Sequence, residues 1–167
     1  MKISLVLVAM LLAGCQAVPQ SSDLGTVIRV TSGQTIEVRL NSQIQKVGLL
    51  GVEAPDYRQQ PWANQAKQRL QQLIAGKSVC LEFSSPESAD YRLASVWLDR
   101  EALPGRTRTL LNEQLIQEGL VMARSRTLSP YQNRLSYAQE QARILGLGIW
   151  NPTQPMRQTP TQFRAQL

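Results

Sequence analysis

Two carboxylates stand close together in the segment GVEAPDYR, residues 51–58, where Glu53 and Asp56 flank Ala54-Pro55. A proline forces the residue before it into an extended conformation, so the pair lies in a stiff loop rather than on one helix face. Carboxylates in such a loop can bind a hard metal ion or accept a proton from water. The segment is therefore the first candidate for an active-site loop, and the polar end of a strand is the alternative.

The chain contains no histidine. This absence excludes Ser-His-Asp and Cys-His catalysis, the HExxH zinc site and any imidazole base. Acid–base chemistry would fall to carboxylates, with Lys, Arg or a metal ion balancing the charge. Cys80, within SVCLEF, has no histidine or cationic sequence neighbour to favour a thiolate, so we expect it to be a small buried apolar residue.

The elements that must position these residues follow one another as three strands, a helix, two strands and two helices. Residues rich in β-branched side chains predict the strands, and apolar residues at helical spacing predict the helices. The order predicts an α+β fold, namely a five-stranded OB-type β-barrel with three α-helices. The strands are TVIRV, TIEVRL, IQKVGLLGV, SVCLEF and RLASVWLD, and the helices cover about 61–75, 110–118 and 131–145.

The N-terminus carries a targeting signal. An apolar run over residues 3–12 is far shorter than the roughly 20 residues of a membrane-spanning helix. The following Leu-Ala-Gly-Cys15 resembles the bacterial lipobox, which predicts a lipoprotein signal peptide and acylation of Cys15; an ordinary signal peptide cleaved near Ala17 is the alternative. We expect a lipid anchor on the extracytoplasmic side of a bacterial membrane, in the cell envelope.

Four segments follow from these signals. Residues 1–15 are the signal peptide, 16–24 a polar tether, 25–151 the folded domain and 152–167 a flexible tail rich in Pro, Thr and Gln.

Four stretches of the folded segment carry a family pattern in order, namely GTVIRVTSGQTIEV, VGLLGVEAPD, LLNEQLIQEGLVMAR and AQEQARILGLGIWNP. Together they resemble the staphylococcal nuclease (thermonuclease) family. The resemblance implies the OB-type barrel and the hydrolysis of DNA or RNA phosphodiesters with one Ca²⁺, two phosphate-holding arginines and a carboxylate base.

Carried over to this chain, the resemblance puts the Ca²⁺ ligands at Gln34, Glu53 and Ala54 and the base at Asp56. The family reads Asp-x-Pro-Glu where this chain reads Glu53-Ala54-Pro55-Asp56, and a metal aspartate is replaced by Gln34. Each carboxylate therefore moves by about one methylene, and displacements of about 1 Å can cost about 100-fold in rate. We expect weak Ca²⁺ binding.

The arginine positions also depart from the family pattern. The first arginine corresponds to Gly48, and Lys46 on the same strand face is the nearest cation. The second normally follows a Tyr-Gly pair, and here Arg92 follows Tyr91, with residues apparently deleted. We expect Arg92 to be catalytic and Lys46 and Tyr91 to bind substrate; a one-residue shift of register would turn Arg92 to the opposite face.

Two functions fit these observations. The first is a membrane-tethered, monomeric, Ca²⁺-dependent nuclease with an altered catalytic set. The alternative is a catalytically inactive module that binds single-stranded nucleic acid or a protein partner, with Tyr57, Tyr91 and Trp97 as candidate base-stacking residues. The net charge of +6 suits a nucleic-acid partner, but it is scattered along the chain and does not distinguish the two.

Overall fold

Five strands close into a barrel in the computed structural model, which describes residues 22–84, 90–98, 108–124 and 129–166. The strand order is β3-β2-β1-β5-β6, and parallel pairing of β3 with β6 closes it. This confirms the five-stranded barrel with helices. The elements are β1 Ser22–Ser32, β2 Thr35–Leu40, β3 Gln43–Leu49, β4 Val52–Glu53, α1 Trp62–Ile74, β5 Ser78–Phe83, β6 Tyr91–Leu98, β7 Thr109–Leu110, α2 Leu111–Gln117, β8 Met122–Ala123, α3 Gln132–Ile144, a 3₁₀ turn Gly148–Trp150 and α4 Pro160–Arg164.

The long first strand, β1, pairs with two neighbouring strands. Its beginning pairs with β5, and the rest pairs with β2, where the register shifts between Val27 and Arg29 and again between Val30 and Ser32. Such bulges bend a strand and increase its twist. The bend lets one strand form two sides of the barrel and ends it at the Gly33-Gln34 turn, next to the carboxylate loop (residues 53–56).

The barrel interior is a continuous apolar core that includes Ile36, Val38 and Val47, all with no exposed area. Helix α1 adds Ala66, Leu70 and Ile74 to it, which is the helical spacing seen in the sequence. Trp97 and Cys80 are both buried, and Cys80 is a free thiol. The expected core position of Cys80 is confirmed. Trp97, a candidate base-stacking residue, is buried and therefore not available to stack on a base.

One buried side chain joins the C-terminal helices to the barrel. Asn112 on α2 accepts a hydrogen bond from Val96 N–H (2.9 Å) and donates to the carbonyls of Leu50 (2.8 Å) and Ala94 (3.2 Å). Buried backbone groups need such partners, since an unsatisfied one costs about 1–3 kcal/mol. Asn112 thereby fixes α2 against β6 and the end of β3, just before the carboxylate loop.

Two of the expected boundaries need correction. Strand β1 begins at Ser22, within the segment predicted to be a tether, because residues 22–24 pair with β5. The expected flexible tail instead contains α4, which Thr159 caps through a capping box with Gln162. Residues 1–21, which include Cys15 and the predicted signal peptide, lie outside the described part of the chain. Within that part, none of the helices has the length and apolar character needed to cross a membrane.

Candidate active site

The β1–β2 turn lies directly against the carboxylate loop. Gln34 Oε1 accepts a hydrogen bond from Ala54 N–H at 2.5 Å, and the Gln34 carbonyl accepts one from Leu49 N–H at 2.9 Å. Gly33 makes this approach possible, because a Cβ there would lie 2.7 Å from Ala66 Cβ and 3.1 Å from Ala54 Cβ. The structure therefore brings Gln34, Glu53, Ala54 and Asp56 together, although they come from two separate loops.

Glu53 is largely buried, with 8% of its surface exposed. Its Oε1 accepts hydrogen bonds from Thr161 Oγ1 and from Arg164 Nη2, each at 2.5 Å. Both donors belong to α4, more than a hundred positions further along the chain. The carboxylate that the resemblance assigns to a metal ion is thus already paired with a guanidinium and a hydroxyl.

Asp56 is paired with its neighbour Arg58. Its Oδ1 accepts from Arg58 Nε at 2.9 Å and from Arg58 N–H at 3.2 Å. The hydrogen bond from the guanidinium holds the pKa of Asp56 below its ordinary value, and partial desolvation opposes that shift. Asp56 is consequently an ionised carboxylate at neutral pH, able to accept a proton but with reduced basicity.

Gln59 joins the carboxylate loop to the tail (residues 152–166). The buried side chain accepts from Asp56 N–H at 2.9 Å and donates through Nε2 to the Gln158 carbonyl at 2.9 Å. The Arg58 guanidinium lies between two rings, 4.9 Å from the centroid of Tyr57 and 5.5 Å from that of Phe163. The loop and the tail therefore form one side of the site together.

The Tyr91 side chain fills the space above Gly48. A Cβ on Gly48 would lie 2.0 Å from the Tyr91 hydroxyl oxygen. Lys46 Nζ lies 5.9 Å from the centroid of the same ring, and both side chains are exposed. Tyr91 and Lys46 therefore occupy the position that the resemblance assigns to the first arginine, beside the strand end that leads into the carboxylate loop.

Arg92 is not part of this cluster, which corrects the expectation that it acts with Asp56. Side chains alternate along a strand, so Arg92 faces away from Tyr91; it is buried, with 7% exposed. Its guanidinium carbon lies 3.4 Å from the Phe83 ring centroid. Arg92 also lines a cavity with Leu24, Leu40 and Gln43. That cavity lies at the β2–β3 hairpin, the opposite end of these strands from Gln34 and Gly48.

The donor set at the site does not fit Ca²⁺ as it stands. Ca²⁺ takes six to eight oxygens, and the site offers two carboxylates and one carboxamide oxygen, each already accepting a hydrogen bond from the chain. Elsewhere in the described ranges, too, no three acidic, His or Cys side chains are grouped to hold a metal ion. A cation at Glu53 Oε1 would compete with Thr161 and Arg164 for that oxygen.

Three residues that contact the carboxylate loop were missed in the sequence, namely Gln59, Thr161 and Arg164. Their contacts join positions far apart in the chain, which local patterns do not reveal. One signal was nevertheless present, because Thr159-Pro160-Thr161-Gln162 has the residues of an N-cap, an N1 proline and a capping box. That pattern could have predicted helix α4, although not that α4 packs against the carboxylate loop.

Comparison with known proteins gives one family. The model described as "Staphylococcal nuclease homologue" matches residues 46–152. A thermonuclease of Staphylococcus hyicus is 33% identical over 133 residues, which cover 75% of this chain and 74% of the relative. A micrococcal nuclease of Shigella flexneri is 29% identical over 150 residues, which cover 89% of this chain and 84% of the relative. An uncharacterized endonuclease of Haemophilus influenzae is 25% identical over 167 residues, which cover 98% of this chain and 83% of the relative.

Proposed function

The chain belongs to the staphylococcal nuclease homologue family, and from that membership we propose that it slowly hydrolyses phosphodiester bonds of DNA or RNA at the carboxylate loop. The hydrogen bond between Gln34 Oε1 and Ala54 N–H carries the proposal, because it joins the two loops that the resemblance assigns to the reaction. The carboxylate loop itself lies within the matched residues.

Asp56 is the proposed general base. An attacking water would give its proton to the carboxylate while its oxygen bonds to phosphorus and the bond to the leaving oxygen breaks. Because Arg58 lowers the pKa of Asp56, the base is weaker than an unpaired carboxylate. The weak base is one reason to expect slow turnover.

Charge stabilisation is the second reason. Attack builds negative charge on the phosphoryl oxygens, which cationic groups must neutralise. At the position of the first arginine, Gly48 has no side chain. Among the described residues, the Tyr91 hydroxyl fills the space of a Cβ there, and Lys46 Nζ lies against the Tyr91 ring. Neither provides the two-pronged contact of a guanidinium, and the loss of a phosphate-binding arginine can cost about 10³–10⁵ in rate.

The resemblance implies Ca²⁺, but the proposal assigns this ion no step, because the donors of the site as described do not fit it. Gln34 supplies a neutral oxygen in place of a charged one, and Glu53 is engaged by Arg164. Ala54 stays a predicted ligand.

We further propose that the enzyme is a monomer held by lipid at Cys15 on the extracytoplasmic side of a bacterial membrane. The Leu-Ala-Gly-Cys sequence supports this location.

Incubation of the full chain, purified in detergent, with plasmid, single-stranded DNA and RNA tests the activity, with Ca²⁺ or with a chelator. We expect slow cleavage that Asp56→Asn reduces by about 100-fold or more. Asp90→Asn, an exposed carboxylate outside the site, is the matched control. Equal cleavage by wild type and Asp56→Asn would contradict the proposal.

A second function is favoured by one observation. Tyr57, next to Asp56, is 75% exposed, and Tyr91 is 43% exposed, so both rings are accessible to a base. The alternative is a silent module that binds single strands. Binding of an oligonucleotide without cleavage under any of these conditions would favour it.

A further inference from the structure

The outward face of strands β1, β2 and β3 begins beside the candidate active site. Thr35 of β2 pairs with Gly48 of β3, and two positions further along these strands Glu37 pairs with Lys46. Side chains two positions apart on a strand lie on the same face of the sheet. The face that bears Lys46 therefore continues directly from the position that the resemblance assigns to the first arginine.

Further from the site, this face carries a row of residues that the proposed reaction does not use. Arg39 of β2 lies opposite Ile44 of β3 on one side and Thr26 of β1 on the other. All three are exposed, and Ile44 is 61% exposed, whereas the neighbouring Val38 is fully buried in the barrel. Ile44 is four residues from Gly48, which is about 13 Å along an extended strand.

The charge of this face is positive. Arg39 and Lys46 are both exposed, and within the described ranges neither makes an ion pair. Glu37, an acid on the same face, accepts from Arg29 Nε at 3.0 Å and from Arg29 Nη2 at 2.7 Å. Arg39 and Lys46 are diagonal neighbours on adjacent strands, which places them about 7–8 Å apart. The two cations are thus spaced to contact successive phosphates of one strand.

The cations alternate with side chains that can pack against a base. Tyr91 lies opposite Lys46, with its ring centroid 5.9 Å from Nζ, and Ile44 lies opposite Arg39. Single-stranded nucleic acid binds where cations follow its backbone and side chains pack against its bases. We propose that Arg39 and Ile44 form an extension of the substrate site, which holds a single strand of DNA or RNA where it leaves the carboxylate loop. The proposal rests on the proposed function in one respect, that nucleic acid binds at this loop.

The exposed aliphatic side chain distinguishes a single strand from a duplex. In a duplex the faces of the bases are stacked inside the helix, where Ile44 cannot reach them. In a single strand they can pack against Ile44 and against the Tyr91 ring, which is 43% exposed. The extension should therefore bind a single strand more tightly than a duplex of the same length.

Fluorescence anisotropy of the full chain in detergent tests this, with a labelled single strand of about 12 nucleotides. All proteins carry Asp56→Asn, so that cleavage does not shorten the probe. We expect Arg39→Gln to weaken binding by about fivefold. Loss of one phosphate contact should also lower the slope of log affinity against log salt concentration by about 0.7. Arg143→Gln removes the same charge from an exposed position on α3 and should change neither value.

The apolar contact has its own matched pair of variants. Ile44→Gln should weaken binding of the single strand by about threefold and leave binding of the duplex unchanged. Ile144→Gln makes the same replacement at the end of α3, where the side chain is 83% exposed, and should affect neither probe.

A third variant should strengthen binding, and a misfolded protein would not do so. Glu37→Gln removes the acid from the face and leaves Arg29 available to a phosphate, so we expect about threefold tighter binding of the single strand. Glu140→Gln disrupts another exposed ion pair, that with Arg143 on α3, and should leave the affinity unchanged.

Two results would overturn the proposal. One is that Arg39→Gln, Ile44→Gln and Glu37→Gln change the affinity no more than their controls do. The other is a dimer, seen by sedimentation without nucleic acid, that Ile44→Gln dissociates, because this face would then bind a second copy of the chain. Binding that depends on Arg39, without any cleavage by the chain that retains Asp56, would contradict the proposed function alone.

Discussion

At the residue scale, Gly48 shows how a neighbour can take over the space of a missing side chain. The Tyr91 hydroxyl lies where a Cβ of residue 48 would be, so Gly48→Arg requires the ring to turn outward. We expect Gly48→Arg alone to leave kcat/KM almost unchanged. Combined with Gln34→Asp, Glu53→Asp and Asp56→Glu, it should raise kcat/KM by more than the product of the single effects, because groups that act as a unit are not additive.

The role of Arg92 can be tested in that restored protein. Since Arg92 lies on the other face of β6, against Phe83, Arg92→Ala should leave the gain in kcat/KM intact while lowering stability. Loss of the whole gain on Arg92→Ala would show that the guanidinium reaches the phosphate after all.

At the element scale, Asn112 holds α2 on the barrel. Replacing it with Ala leaves the Val96 amide and the Leu50 and Ala94 carbonyls without this partner. We expect a loss of about 2–4 kcal/mol in the free energy of unfolding, measured with urea. Gln117→Ala, at an exposed position of the same helix, should change it by less than about 0.5 kcal/mol.

An ion pair between α1 and the end of α2 should make stability depend on pH. Arg69 donates two hydrogen bonds to Glu118 and thereby holds the pKa of Glu118 below its ordinary value of 4.5. The stabilisation is present above pH 4.5 and is lost as pH falls through the lowered pKa of the folded state. Because both side chains are partly exposed, we expect Arg69→Gln to lower the free energy of unfolding by about 0.5–1 kcal/mol at pH 7.

Urea unfolding of wild type and Arg69→Gln across the acid range checks this. The difference between the two proteins should shrink progressively below pH 4.5. A difference that stays constant into strong acid would mean that Arg69 stabilises the helices by packing alone.

The elements that the sequence predicted are those with a repeated local pattern. Strands β2 and β5 are dense in β-branched or apolar residues, and α1 repeats its apolar residues at helical spacing, so neighbouring residues suffice to identify them. Strands β4, β7 and β8 have two residues each, too few to show any period. The same dependence on local pattern applies to the site residues. Glu53 and Asp56 lie in one short motif and could be predicted from it. The contact of Arg164 with Glu53 forms only when the chain folds, so no local pattern reveals it.

At the scale of the whole molecule, the lipid anchor remains a prediction that one experiment can check. Metabolic labelling with a fatty acid should mark the full chain and not the Cys15→Ser variant. A Cys80→Ser variant should be labelled like wild type, because Cys80 is buried in the barrel. Equal labelling of wild type and Cys15→Ser would remove the lipoprotein assignment and leave an ordinary signal peptide.

The burial of Cys80 also has a practical consequence. In the Cys15→Ser chain it is the only thiol, since the sequence has two cysteines. It is 4% exposed on β5, opposite Leu24 of β1 and Trp97 of β6. A thiol reagent can reach it only when β5 separates from a neighbour. The rate of its modification, compared with that of an unfolded chain, therefore reports the free energy of that separation in the native protein, without an added probe.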